Sequence, residues 1–363
     1  MHRVLVVGVG SIGERHLRCF AATGRARLSL CEVDPDLRRT VAGRYAVTDA
    51  FADLDAALSS SPEVVVVCTP AHLHVSMARA AVRAGAHVLI EKPLSTAFDG
   101  VSELLEEVER RRIVAAVAYV YRAHSALAAL REAIRAGRFG EPVQVVAVGG
   151  QHFPLYRPAY RTIYYNDHAT GGGAVQDALT HVLNAAEWLV GPVTRLTADA
   201  GHQVLEGVTV EDTAHVLTRH GTVMGSYSLN QHQAPNESTI TVVCTRGTAR
   251  FEFHNLRWRW MTEPGGEWTD EPAGPLERDT LFVRQANAFL DTAEGTAAPL
   301  CSLADARQTL AVNLAILRSA EHGGWERLEE PLPRPLPEAG RGERSGPPSG
   351  SPSPLRGGGR GEG

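Results

Sequence analysis

The sequence predicts an α/β protein. Its N-terminal part reads as a doubly wound parallel sheet, and its C-terminal part as an α+β domain with an open, mostly antiparallel sheet. Three observations carry this expectation. Over residues 1–120, short β-branched runs alternate with helical stretches, a pattern that calls for parallel strands joined by crossover helices. Val64–Val67 is a run of four valines, as expected of a strand covered on both faces. Beyond about residue 190, consecutive strand-like runs are separated by short turns, which suits antiparallel neighbours.

Taken in order, the first strand spans 3–7 and runs into a glycine-rich turn. A helix over 12–22 follows. Strands at 27–31, 64–68, 87–90 and 113–120, with helices at 75–84 and 98–111, complete a first domain over 1–121. A second domain covers 122–330. A helix over 126–136 leads into a strand at 143–148, a long loop, and a helix over 174–189. Strands follow at 194–200, 214–218, 223–230, 238–244 and 248–254. Two amphipathic helices, 281–293 and 303–321, close this domain. From Pro331 onward, Pro, Gly and Ser supply 21 of the last 33 residues. Such a segment buries too little apolar surface to offset its ordering entropy, so 331–363 is expected to be a disordered tail.

Composition narrows the function. The 363 residues carry 36 bases against 41 acids, a formal charge of -5. That balance argues against a nucleic-acid binder that works by neutralising phosphates. No apolar stretch approaches membrane-spanning length, and the N-terminal run lacks a leader pattern. Five scattered cysteines without a C-x-x-C pair suit a reducing compartment. The expectation is therefore a cytoplasmic protein with neither membrane nor nucleic-acid partners. Arginine supplies 35 of the bases, and Lys92 is the only lysine. Arginine stays charged and cannot replace an amine whose proton must be shared or lost.

The first strand ends in Gly8-Val9-Gly10-Ser11-Ile12-Gly13. Gly8 allows a tight turn, Gly10 lets a pyrophosphate approach the backbone, and Gly13 lets the helix pack close. The helix opening near Ser11 and Ile12 offers free N–H groups to an anion. The second strand ends at Glu32, where a carboxylate would accept from an adenosine ribose diol and repel an added 2′-phosphate. NAD is thus favoured, while Arg38 and Arg39 keep NADP open. Ligands of such sheets bind beyond the carboxyl ends of the strands. That edge collects Thr69, Pro70, His72 and His74 after one strand and Glu91, Lys92 and Pro93 after the next. The histidines match no metal-ligand spacing, so no metal is expected.

The second chemical feature is Asp177 and His181, i and i+4 on the helix after Gly171-Gly172-Gly173. Together with GVGSIG, CTPAHLH, AGAHVLIEKPLS, AYVYR and AIRAGRFGEPVQV, the segment GGGAVQDALTHVLNAAEWLVGP identifies a resemblance. From residue 4 to about 192, the sequence resembles the Gfo/Idh/MocA family of nicotinamide-dependent oxidoreductases. The resemblance implies a Rossmann domain and a Lys92-Pro93 peptide that is cis. It makes His181 the general base, Asp177 the residue that orients substrate hydroxyls or holds the histidine, and Lys92 the donor to the reacting oxygen. It also carries Arg122 to the cofactor and implies a sugar, sugar derivative or cyclitol as substrate and a homodimer or homotetramer. Two departures stand out. Leu179 replaces the family's glycine between the aspartate and histidine, and Arg122-Ala123-His124-Ser125 replaces R-F-x-P.

The loop 151–173 holds Phe153, Tyr156, Tyr160, Tyr164 and Tyr165 with Arg157, Arg161 and His168. Aromatic faces with convergent polar groups suit a polyhydroxylated ring; packing against a neighbouring subunit would use the same residues. Tyr121, Tyr156, Arg157, Tyr160 and Arg161 join Lys92, Asp177 and His181 as candidate substrate contacts. Two other functions share these motifs: a glycosidase that oxidises its sugar transiently with bound NAD, and a non-catalytic NAD-binding sensor.

Overall fold

The computed structural model describes residues 1–329; the segment 331–363, expected as a tail, lies outside them. Six parallel strands form the first sheet: β1 (His2–Val7), β2 (Ala26–Cys31), β3 (Ala50–Phe51), β4 (Val64–Val67), β5 (His87–Ile90) and β6 (Ala115–Val117). Their order is β3-β2-β1-β4-β5-β6. The order reverses between β1 and β4, which opens a crevice at their carboxyl ends. Helices α1 (Ser11–Ala22), α2 (Pro35–Tyr45), α3 (Leu54–Ser59), α4 (His74–Arg83) and α5 (Val101–Arg111) make the crossovers. Neither α2 nor α3 was expected. Both have legible starts: Asp34 caps α2 with Pro35 in its first turn, and Asp53 caps α3.

The chain then forms α6 (Ser125–Arg135), β7 (Pro142–Gly150), a short α7 (Phe153–Tyr156) and α8 (Thr180–Val190). Next come β8 (Arg195–Gly201), β9 (Thr213–His220), β10 (Val223–Asn230), β11 (Glu237–Cys244), β12 (Gly247–Glu252), β13 (Arg257–Met261) and β14 (Thr269–Pro272). Helices α9 (Thr280–Ala293) and α10 (Leu303–His322) and a last strand, β15 (Glu326–Arg327), complete the described chain. The nine strands run β14-β13-β12-β11-β7-β10-β9-β8-β15. The sheet is mixed rather than wholly antiparallel, because β10 lies parallel to β7. The loop and α8 between them act as a crossover.

One expectation about packing is corrected. Helix 281–293 does not close the second sheet. Ala286, Phe289 and Leu290 of α9 pack into the core beneath β1, β2 and β4. Helix α10, started by a Ser302–Asp305 capping box, serves both sheets. Leu303, Ala306 and Leu310 lie in the other core layer of the first sheet, and Val312, Ala315 and Ile316 in the core of the second.

A buried polar seam ties these parts together. Arg122, expected at the cofactor, lies here instead. Its guanidinium donates to Asn184 Oδ1 (2.8 Å), the Leu300 carbonyl (3.0 Å) and Asp305 Oδ2 (2.9 Å). Asn184 donates on to Thr309 (3.0 Å). Glu187 accepts from Thr309 (2.7 Å) and Gln308 (3.0 Å), and burial pushes its carboxyl up to about 7. A charge this deep is tolerable only when fully paired. Replacing Arg122 with Met is expected to destabilise the protein by about 3–5 kcal/mol, read as a lower urea midpoint. An unchanged midpoint would show that the seam holds nothing.

Candidate active site

The site lies at the carboxyl ends of β1, β4 and β5. Gly13 packs so tightly that a Cβ there would overlap the Gly8 carbonyl oxygen. At Gly10 a Cβ would meet nothing within 4 Å, so the backbone there is open to approach. Helix α1 has no side-chain cap, which leaves its first-turn N–H groups for an anion. Glu32 is fixed by the N–H groups of Val9 (2.9 Å) and Asp34 (3.1 Å). Arg38 is occupied by the Glu32 carbonyl (2.6 Å) and Arg39 by Asp36. The Thr69 hydroxyl is buried with no partner among the described residues, beside Gly8. An open glycine backbone, an uncapped helix, a pre-set carboxylate and an unsatisfied hydroxyl fit a dinucleotide.

Three other expected cofactor contacts are reassigned. His74 is buried, with its ring nitrogens on the carbonyls of Pro93 (2.9 Å) and Thr69 (2.7 Å), so it joins the two strand-end turns rather than facing a ligand. Glu91 is buried as well, bonded to His16 (2.6 Å) and to the Lys92 N–H (2.9 Å). Arg122 belongs to the seam. Pro70 and His72 are exposed at the rim.

Lys92 leaves β5 just before a cis bond to Pro93. Its Nζ donates to the Asp177 carbonyl (2.8 Å) and to Asp177 Oδ1 (3.1 Å). That carbonyl lies in a single π turn, Val175–Leu179, ahead of α8. Here Leu179, the departure from the family's glycine, is buried. The π turn wraps an extra residue, so Asp177 and His181 do not pair as i and i+4. Of the two roles expected of Asp177, holding the histidine is not the one seen, because no bond joins the two side chains. Asp177 instead accepts from Tyr164 (2.7 Å) and lies 3.4 Å from the Arg157 guanidinium. Burial would raise its carboxyl, but Lys92 and Arg157 outweigh this and hold it well below the usual carboxylate range.

The approach to this helix is also set locally. Glu211 accepts from the Val175 N–H (2.9 Å), and its own carbonyl accepts from Ala174 (2.9 Å). Gly173 has φ +87°, and a Cβ there would meet the Glu211 carboxylate at 2.5 Å. Glycine is needed on both counts. His181 follows in α8. Its Nδ1 is buried without a partner. Burial, with Lys92 nearby, pushes its pKa down to about 3.

The aromatic loop divides. Phe153, Tyr160 and Tyr165 form a small core with Leu205, Val208 and Val210. The Tyr160 hydroxyl donates to the Glu206 carbonyl (2.8 Å), and Arg161 also binds Glu206. Both side chains are thus turned to Glu206 rather than to Asp177. Tyr156 is exposed. Arg157 and Tyr164 reach Asp177, and Tyr164 had appeared in the sequence only as one aromatic among several. Tyr121 stacks on His181. His124 is fully buried and caps α6 through Nδ1. Glu211, His16 and Tyr164 hold groups of the candidate site in place, and no spacing announced them.

Comparison with known proteins agrees with this geometry. Residues 2–119 match the oxidoreductase family with an NAD-binding Rossmann fold, and residues 127–250 match the GFO/IDH/MocA C-terminal domain. Levoglucosan dehydrogenase of Pseudarthrobacter phenanthrenivorans is 25% identical over 377 residues, covering 88% of this chain and 96% of the relative. Inositol 2-dehydrogenase of Acidothermus cellulolyticus is 30% identical over 229 residues, 61% of this chain and 63% of the relative. A solved levoglucosan dehydrogenase, in complex with NADH and levoglucosan, superposes with a TM-score of 0.81 at 23% identity, over 91% of this chain and 100% of that one. Cradle, fold and both matched domains lead to one conclusion: the chain belongs to the GFO/IDH/MocA family of NAD-binding oxidoreductases.

Proposed function

We propose that this protein is an NAD-dependent dehydrogenase that moves a hydride between the nicotinamide and a hydroxyl-bearing carbon of a sugar, sugar derivative or cyclitol. The observation that carries this is the meeting of Lys92 and Asp177, one turn before His181, at the edge of the dinucleotide cradle. The relatives above, named for levoglucosan and inositol, support the substrate class.

The bound nicotinamide supplies the hydride acceptor or donor. The chain supplies the rest. Lys92 has three N–H donors, and Asp177 takes two of them. The third is available to the reacting oxygen, where an ammonium stabilises developing negative charge. Nδ1 of His181 is buried, so Nε2 is the nitrogen that meets the hydroxyl and takes its proton. Asp177 and Tyr164 hold Lys92 and Arg157 at the rim, where they can also bind neighbouring hydroxyls. Glu32 favours NAD over NADP.

The second sheet has a broad outer face lined by Val146, Val148, His215, Leu217, Ser226 and Ser228. Leu217 is 53% exposed there. An open apolar sheet face of this kind suits a second copy of the chain, and we assign it to a homo-oligomer.

A panel of sugars and cyclitols assayed with NAD and NADP is expected to yield net NADH formation, with NAD preferred; cleavage of a glycoside without net NADH would overturn the reading. Lys92→Met and His181→Gln should each lower kcat by about 10²–10⁴-fold while NADH still binds, measured by fluorescence titration. Because the His181 imidazole stays neutral down to about 3, kcat/KM should show no acid limb near the ordinary histidine value of about 6.5; a break there would contradict this environment. Leu217→Arg should move the protein toward monomer on a sizing column.

A further inference from the structure

A general-base histidine is usually oriented by a hydrogen bond to its second ring nitrogen. His181 has none: Nδ1 is buried and unpartnered, and Asp177 is turned to Lys92, Tyr164 and Arg157. Something else must stop the imidazole from rotating. Its plane lies 20° from that of Tyr121, with ring centroids 5.2 Å apart, and Tyr119 meets it edge-on at 6.1 Å and 84°. Tyr121 is in turn stacked on Phe253, 4.9 Å away and 14° off parallel. Ser238 of β11 lies near the Tyr121 hydroxyl. Phe253 is propped by His124 at 5.4 Å and by Phe251 edge-on at 6.1 Å.

We propose that Tyr121, backed by Phe253, is the positioning residue for His181, and that ring stacking does here what a hydrogen-bonded carboxylate or carbonyl does for other catalytic histidines. The inference rests on His181 being the base in the reading above. Three segments build the column. Tyr121 lies just beyond the last strand of the first sheet, His181 lies on α8, and Phe253 directly follows β12 of the second sheet. The base is therefore aligned only when these segments are packed together. Offset parallel rings with an edge-on third ring restrict rotation about the histidine's terminal torsion, which is otherwise broad. The tyrosine face also favours the imidazolium formed when the proton is taken. That matters because no acceptor receives the proton on Nδ1.

The test uses the full chain and separates ring from hydroxyl. Tyr121→Phe keeps the face and should keep His181 in its original rotamer in the crystal, with a smaller loss of kcat than Tyr121→Leu. Tyr121→Leu keeps an apolar side chain without the face. It should lower kcat by about tenfold, change KM little, leave NADH binding intact and show the His181 ring in more than one orientation. Phe253→Leu, one ring further away, should lose about threefold in the same direction, and it serves if Tyr121→Leu does not fold. Rates are measured on levoglucosan, myo-inositol and D-glucose with NAD. Wild-type kcat in Tyr121→Leu and Phe253→Leu, an unmoved His181 ring in Tyr121→Leu, or an equal loss in Tyr121→Phe overturns the proposal. If the wild-type protein oxidises none of a wider panel of polyols, the dehydrogenase reading fails, and the rotamer of His181 in the variants still decides the stack.

Discussion

A buried carboxylate cannot stand alone, and the structure around Asp177 follows from that. Its side chain is 1% exposed, so its charge must be met inside the protein. Lys92 comes to it from the first sheet, while Arg157 and Tyr164 come from the long loop. These partners share no local sequence context. By converging, they join the cofactor sheet, the loop and α8 at one point. The π turn belongs to the same arrangement, because it presents the Asp177 carbonyl as well as the carboxylate to the one lysine in the chain.

The scaffold is arranged so that this point stays fixed. His16 and Glu91 hold the backbone of Lys92 from below. Glu211 caps the start of the turn that leads into α8 and occupies the space that only Gly173 leaves free. The Arg122 seam and α10 fasten the far end, so that α8 packs against elements serving both sheets. Polar groups in these places are costly unless all their bonds are made, and once made they specify one packing. At His181 the bond from Nδ1 is not made among the described residues. Its missing partner leaves its orientation to ring packing.

Much of this was legible. The alternation of elements, the glycine cradle, Glu32 and the pairing of a lone lysine with a strand terminus follow from local chemistry and period. So do Asp177 and His181 as members of one helix. Three errors have physical causes. Glu91 and His74 were placed at the cofactor because their neighbours are there, and Arg122 because the family resemblance carries it there, yet each turns inward to satisfy buried backbone or side-chain groups. The loop aromatics were read as a substrate surface or a contact with a neighbouring subunit, but a long loop needs a core of its own, and Phe153, Tyr160 and Tyr165 supply it. Helix α9 was given to the wrong sheet because amphipathicity names a buried face without naming what buries it.

The sequence by itself determined the class of fold and the cofactor cradle and brought forward the candidate reacting groups, since these depend on short-range pattern and on residue types that have no chemical substitute. Only the tertiary structure decided which groups touch. Tyr164 finding Asp177, Tyr121 facing His181 and Arg122 leaving the site for the seam are set by packing between segments far apart in the chain. Spacing along the backbone carries no record of those distances.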